Sequence, residues 1–261
     1  MSNEKIWVSS ARRNHDYEWL GYYLSTEKNN PRTLMQYKTT NYLEREAKLK
    51  PEYDKELDNY IDLTRKNRSR EKLVLEDHPN RVYKMPEEKW ECNKSIFMAH
   101  AGVAFVNETT AQILKQHNLG NSQVIKVEPY DAVTDEPIKD ACSLYLLNIA
   151  EAYECCDVKQ SISVRKIQGF SNEIEYCDGL EYRDDGYIIN ASVLELGLDL
   201  WTDSRLDKSM FISDRLKTVL DEAGLAKDWF INRCIVVEGY KLWLKEAKAH
   251  LMLLVWTYKN A

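Results

Sequence analysis

Little in this chain announces chemistry. No glycine-rich phosphate loop, G-x-S-x-G, H-E-x-x-H or kinase signature occurs, so the local signs of nucleotide binding, serine hydrolysis, zinc proteolysis and phosphoryl transfer are missing. The only five histidines, His15, His78, His100, His117 and His250, stand far apart. An enzyme would need residues gathered by folding alone, for example His100 with Cys142 and a carboxylate. The expectation is that the chain is not an enzyme.

Basic excess is lacking as well. A formal charge of −6 argues against direct nucleic-acid binding, which needs a cationic face to release counterions from phosphates. The longest apolar run, Leu251 to Trp256, is far short of the roughly 20 residues that span a bilayer. Nothing near Met1 combines a basic start, an apolar stretch and a small-residue cleavage site, so a cytoplasmic protein is expected. The composition of disorder is also absent: 44% of the 261 residues are hydrophobic, enough for one large domain or two modest ones.

Six cysteines, Cys92, Cys142, Cys155, Cys156, Cys177 and Cys234, are scattered along the chain. Without a secretory leader they are expected to be reduced, small buried hydrophobes. The adjacent pair Cys155–Cys156 lacks the C-x-x-C spacing that converges two thiolates on zinc, and no histidine lies near. No metal site and no cofactor are expected.

What the chain does have is a repeat. Phe105 to Val127 (FVNETTAQILKQHNLGNSQVIKV) lies without a gap over Phe211 to Arg233 (FISDRLKTVLDEAGLAKDWFINR), 106 residues later. After each phenylalanine, Asn107 or Ser213 offers a side-chain oxygen to free helix amides, and Glu108 or Asp214 puts negative charge at the positive end. Leu216, Val219, Leu220 and Ala223 keep helical spacing, as do Thr110, Ile113, Leu114 and His117 less apolarly. Asn118 and Gly224 are suited to the left-handed residue that ends a helix, with Leu119 and Leu225 packing back. Two strand–helix–strand units, about 105–127 and 211–233, are therefore expected. Two copies are too few for a solenoid, and a pseudo-twofold pair fits better.

Around the repeat the pattern is mixed, and an α+β fold is expected. Residues 1–88 read as an N-terminal strand near Tyr17 to Leu24 and a charged helical extension, with two helices over about Thr40 to Lys72 broken near Pro51. The run Arg65 to Lys72 reads as a solvated helix end. Residues 89–235 read as the core, with strands near Ser161 to Ile167, Glu173 to Cys177 and Gly186 to Ile189. Residues 236–261 read as a C-terminal helix, Tyr240 to Tyr258, packed on that core.

Three stretches, FVNETTAQILKQHNL, YLLNIAEAYECCDVKQS and FISDRLKTVLDEAGL, resemble the landmarks of immunity family eleven of bacterial polymorphic-toxin systems. That family shows a capped helix, a Tyr-Leu-Asn strand running into a helix that ends near an aspartate and a serine, and a second capped helix ending in Ala-Gly-Leu. Here the matching positions are Asn107, Tyr145 to Asn148, Asp157, Ser161, Ser213 and Ala223 to Leu225. The resemblance spans about residues 90–232, more loosely Tyr22. It departs in the charged insertion before residue 90 and at Ala226–Lys227. It implies an α+β protein that binds and neutralises a toxin delivered between bacterial cells, with no cofactor or catalytic residue to carry over.

Binding residues come from charge. Glu173, Glu175, Asp178, Glu181, Asp184 and Asp185, against one arginine, form the stronger candidate for an acidic surface that steers a basic toxin, with Tyr176 and Tyr182 as anchors. Glu128, Asp131, Asp135, Glu136 and Asp140 are a second acidic candidate beside Tyr130. The loop Leu200 to Met210, with Asp203, Arg205 and Asp207 expected to be exposed beside Trp201, reads as a turn that connects two elements, with a place in the interface as the alternative. The leading expectation is a stoichiometric inhibitor of a cognate toxin domain, for which a basic nuclease fits. The alternative is a cytoplasmic adaptor or chaperone for a secreted effector.

Overall fold

The computed structural model describes residues 4–12, 22–26, 31–34, 50–68, 70–84, 94–99, 103–168, 174–179, 181–206 and 208–238. In chain order the elements are β1 (Ile6–Ser9), β2 (Tyr22–Ser25), α1 (Lys50–Arg68), β3 (Arg81–Lys84), β4 (Ile96–Met98), β5 (Ala104–Asn107), α2 (Glu108–Lys115), β6 (Gln123–Asp131) and β7 (Leu144–Asn148). They continue with β8 (Val164–Gln168), β9 (Ile174–Asp178), β10 (Ile188–Asn190), β11 (Leu200–Trp201), β12 (Met210–Ser213), α3 (Asp214–Glu222), β13 (Ile231–Arg233) and β14 (Ile235–Val237). Helices mix with antiparallel and parallel pairings, an α+β fold.

Two sheets dominate. The six-stranded one runs β2-β3-β6-β7-β5-β4, parallel only between β3 and β6, and the four-stranded one runs β11-β12-β1-β13, antiparallel throughout. The repeat explains both. In the first unit β7 pairs with β5 and β6, placing Leu146 between Phe105 and Ile125; in the second, β1 pairs with β12 and β13, placing Val8 between Phe211 and Asn232. Each capped strand also carries an outer partner, β4 with Ile96 opposite Val106 and β11 with Leu200 opposite Ile212. The order β4-β5-β7-β6 thus recurs as β11-β12-β1-β13. The inner strand of the second unit comes from the N-terminus, so the strands within 1–88 belong to the same sheets as 89–235.

Side chains repeat with the backbone. Strand alternation sends Ala104 and Val106, and Met210 and Ile212, into one shared core, where Leu114 of α2 meets Leu216 and Leu220 of α3. Phe105 and Phe211 point the other way: Phe105 stacks on Phe97 with centroids 5.7 Å apart, and Phe211 on Trp201 at 6.2 Å. The inner strands each supply an aromatic donor to a first-turn acid. The Tyr145 hydroxyl donates to Glu108 at 2.7 Å, and the Trp7 indole N–H to Asp214 at 2.8 Å. The Tyr145 hydroxyl, with Gln112, holds the Glu108 carboxyl below its usual range.

The caps form as their residues dictate. Asn107 Oδ1 accepts from the Thr110 N–H at 2.9 Å, and Ser213 Oγ from the Leu216 N–H at 3.1 Å. The stops differ. Gly224 is left-handed at φ +69°, with Leu225 N–H bonded to Leu220 O and Gly224 N–H to Asp221 O, the paired closure of a Schellman motif. Asn118 does not play that part, because its N–H is taken by Asp199 at 2.8 Å. The left-handed residue falls instead at Gly120, φ +58°, where an added Cβ would sit 2.3 Å from Glu151 Oε1. Nor are Val219 and Ala223 core positions: Val219 is half-buried and Ala223 exposed.

Reciprocal polar contacts join the units. Ser95, just before β4, donates its hydroxyl to Leu225 O at 2.8 Å beyond the end of α3 and takes Asp228 Oδ2 on its N–H at 2.7 Å. Asp199, just before β11, holds Asn118 beyond the end of α2 and also accepts from the Ser213 hydroxyl and Arg215. Each unit therefore grips the helix exit of the other, a pseudo-twofold arrangement.

Other expectations fare unequally. α1 starts at Lys50, where the second of the two expected helices begins, with Pro51 in its first turn, where proline's missing N–H costs nothing, and Tyr60 and Leu63 cover the face of the six-stranded sheet opposite the shared core. The Tyr-Leu-Asn strand is β7, but no helix follows it. The backbone there bonds to the strand-like stretch after β11, with Thr202 N–H donating to Glu151 O and Tyr153 N–H to Thr202 O, which uses the groups a helix would need. Residues 40–49 and the expected Tyr240 to Tyr258 helix lie outside the described residues. No helix among the described residues is long and apolar enough to cross a membrane.

Leu220→Ala should lower stability by roughly 2–5 kcal/mol in denaturant unfolding, since Leu220 is fully buried between the two helices. Thr110 is the repeat partner of Leu216 and its buried hydroxyl has no hydrogen-bond partner. Thr110→Val should therefore raise stability, by about 1 kcal/mol in the same measurement; a loss of that size would mean the hydroxyl is satisfied.

Candidate functional site

The stronger acidic candidate falls on one side of the second unit, where the β8–β9 ribbon and the 181–187 turn lie against a third apolar cluster. The structure divides its residues. Asp178 is a correction: it is 3% exposed, with Oδ1 accepting from the Tyr187 and Ser209 hydroxyls and Oδ2 from the Lys208 N–H. It anchors the ribbon to the loop just before β12 and is not available to steer a partner. Burial, with the Asp178 charge added, keeps the Tyr187 phenol protonated far above its usual range.

Asp184 and Asp185 are committed as well. Asp184 Oδ1 accepts the Arg233 N–H at 2.7 Å, Asp185 N–H donates to Arg233 O, and the Asp185 carboxylate takes the Arg233 guanidinium through two bonds of 2.9 and 2.7 Å. The turn needs Asp185 at φ +62°, a conformation aspartate tolerates better than most residues. The Arg233 bond, strengthened by its charge, holds the Asp185 carboxyl below its usual range. Tyr176 and Tyr182 pack on the third cluster, Tyr182 with its ring 5.8 Å from Tyr187. Both are half-buried.

Glu181 is exposed. Glu175 stands in β9 opposite Ile167, and Glu173 lies outside the described residues. The partner strand is basic: Arg165 and Lys166 are exposed on β8, with Ile162 and Ile167 at 60% and 36% exposure beside them. The outward face is thus a mixed apolar and two-signed patch, where sequence alone suggested an acidic one. Such a face suits protein contact by burial of isoleucines within a polar rim.

The loop after β11 is also corrected. Asp203 is fully buried, accepting from the N–H groups of Cys155 and Cys156 at 2.9 and 2.8 Å and from Arg205 at 2.9 and 3.0 Å. Arg205 in turn donates to Cys156 O at 2.7 Å. The buried carboxylate is fully hydrogen-bonded, the condition under which burying a charge is tolerable. Asp207 lies outside the described residues. The one local signal of Asp203 was its spacing to Arg205, whose N–H it caps at 3.0 Å as in an Asx-turn.

Cys155, Cys156 and Cys234 are buried free thiols. Burial, then the Asp203 charge, pushes the Cys155 thiol up to about 12; burial likewise puts Cys156 at about 12. They are poor nucleophiles at neutral pH. Cys142 departs from the reduced state expected of it: it is disulfide-bonded, with its partner outside the described residues, so it offers no thiolate beside His100, which also lies outside them. Among the described residues no group of histidine, cysteine and carboxylate side chains has the geometry to hold a metal.

The first acidic candidate is divided too: Glu128, Glu136 and Asp140 are exposed, and the other two acids bind within the protein. Asp131 caps the N–H groups of Val133 and Thr134, and Asp135 binds Arg32 at 2.9 Å and the Tyr83 hydroxyl at 2.7 Å. Tyr130 lies under the Arg81 guanidinium at 4.4 Å. In the basic run, Arg65 and Lys66 pair with Asp62, and Arg70 donates to Leu206 O. No protein-family model matches the chain, and a search of curated proteins finds no similar one.

Asp178→Asn should cost about 1–3 kcal/mol of stability by weakening three buried donors' partner, whereas Glu181→Lys should leave the thermal transition unchanged. Equal effects of the two in paired melting curves would contradict this division of roles.

Proposed function

We propose that this chain is a bacterial immunity protein that neutralises a cognate toxin domain by stoichiometric binding. The observation that supports it is the paired unit itself. The residues that carry the resemblance to immunity family eleven, Asn107, Tyr145, Ser213 and Gly224, are the caps, stop and inner-strand donor of two packed copies of one strand–helix–strand design. These landmarks are structural determinants in the order the resemblance expects, although no helix follows the Tyr-Leu-Asn strand.

That surface is the β8–β9 ribbon with Glu181. A basic toxin meets the exposed Glu181, while Ile162 and Ile167 provide area to desolvate. The charge of −6 favours a basic partner, and a nuclease that acts in the cytoplasm fits it.

The toxin is sought in the reading frame beside this chain's gene. Producing its C-terminal domain should arrest growth, and co-producing this chain should restore it. With purified components, toxin activity should fall to zero near one equivalent of this protein. Substoichiometric, time-dependent protection would instead identify an enzyme. A complex that leaves the toxin active would identify the adaptor.

A further inference from the structure

The two units differ at one edge, and the difference names a ligand. In β13 the residue pairing with Trp7 is Arg233; in β6 the residue pairing with the equivalent Tyr145 is Lys126. Both turn their backbone N–H and C=O away from the inner strand. For Arg233 this follows because its neighbour Cys234 donates inward to Ile6 O; for Lys126 it follows by alternation from Glu128, whose N–H donates outward to Asn80 O. The outward groups of Arg233 are satisfied by the Asp184–Asp185 turn: carboxylate on N–H, Asp185 N–H on C=O, second carboxylate on the guanidinium.

At Lys126 the same groups face a groove of about 720 Å³. Its walls are the 75–81 stretch on one side and Ile125, Lys126 and Glu128 on the other. The chain before β3 bows away from β6, since Asn80 gives its N–H to Ser25 O. The bow is tied at its far end, where Gln123 bonds both the N–H and the C=O of Leu73. Among the described residues nothing pairs with the Lys126 backbone on this side, and its ammonium, which acts on the Glu108 carboxylate only through space, has no carboxylate within salt-bridge distance. His78 and Arg81 add donors, Glu76 and Glu128 oppose them, and Leu75 forms a lip that is 82% exposed.

We propose that this groove binds an acidic turn of a partner protein, held at Lys126 as the Asp184–Asp185 turn is held at Arg233. One carboxylate accepts the Lys126 N–H, the following N–H donates to Lys126 C=O, and the second carboxylate pairs with the ammonium. An open strand edge is a natural template for such addition. The proposal is independent of toxin inhibition through the ribbon.

The probe is a synthetic peptide with the sequence of residues 181–187, EYRDDGY, added to the full chain and followed by amide shifts in two-dimensional NMR. Saturable shifts should centre on residues 124–128 and 75–81. The peptide with both aspartates changed to asparagine should bind about tenfold more weakly, as should Lys126→Gln protein with the original peptide, each having lost a charge-assisted contact. Absence of saturation at millimolar peptide, equal binding by the asparagine peptide, or shifts centred elsewhere would overturn the proposal. None of these results bears on the titration against toxin.

Discussion

The fold rests on one constraint: two short helices must bury their apolar stripes against each other. Helices of eight and nine residues are far below the length that is stable alone in water. Each is therefore started by a cap fixed to the strand before it and closed by contacts from the other unit. Leu114, Leu216 and Leu220 fill the space between two sheets that would otherwise share no core. Ser95 and Asp199 then fix the relative position of the units through the helix exits, where backbone groups are left over by the helix itself.

Once that core exists, the buried charges follow. The segment after β7 runs beside the loop after β11, so the amides of Cys155 and Cys156 need an acceptor inside the protein. Asp203 supplies it, and Arg205 neutralises it while satisfying Cys156 O. Asp178 does the same for Lys208, Ser209 and Tyr187. These carboxylates are dear to bury and are tolerated because every donor facing them would otherwise be orphaned. They are structural groups wearing the composition of a binding surface.

That is why the strand–helix–strand units were legible in the sequence and the site was not. Asn107, Ser213 and Gly224 act on residues three or fewer positions away, so local spacing carried the information. The placement of β1 as the inner strand of the second unit spans more than 200 positions, and nothing local at Trp7 announced that it stands where Tyr145 stands. Asp178, Asp184 and Asp185 looked like one solvated cluster because charge counting ignores partners. Their partners, Ser209 and Arg233, are 31 and 48 or more residues away. Glu181, with no such partner among the described residues, kept the exposure that composition suggested.

The duplicated architecture also makes one unit a control for the other. Where both copies satisfy a group in the same way, as at the Tyr145–Glu108 and Trp7–Asp214 bonds, the contact serves the shared scaffold. Where one copy satisfies a group and the other leaves it open, the scaffold cannot require it to be open, since the closed copy folds equally well. Lys126 is such a departure in the first unit, whereas Thr110, opposite the apolar Leu216, carries a group that its counterpart lacks. The Thr110 hydroxyl is sealed from solvent, so no ligand reaches it and its only consequence is a cost in stability. Among the described residues the Lys126 edge opens onto a groove of about 720 Å³, and its closed counterpart at Arg233 supplies the hydrogen-bond pattern a visitor would have to match.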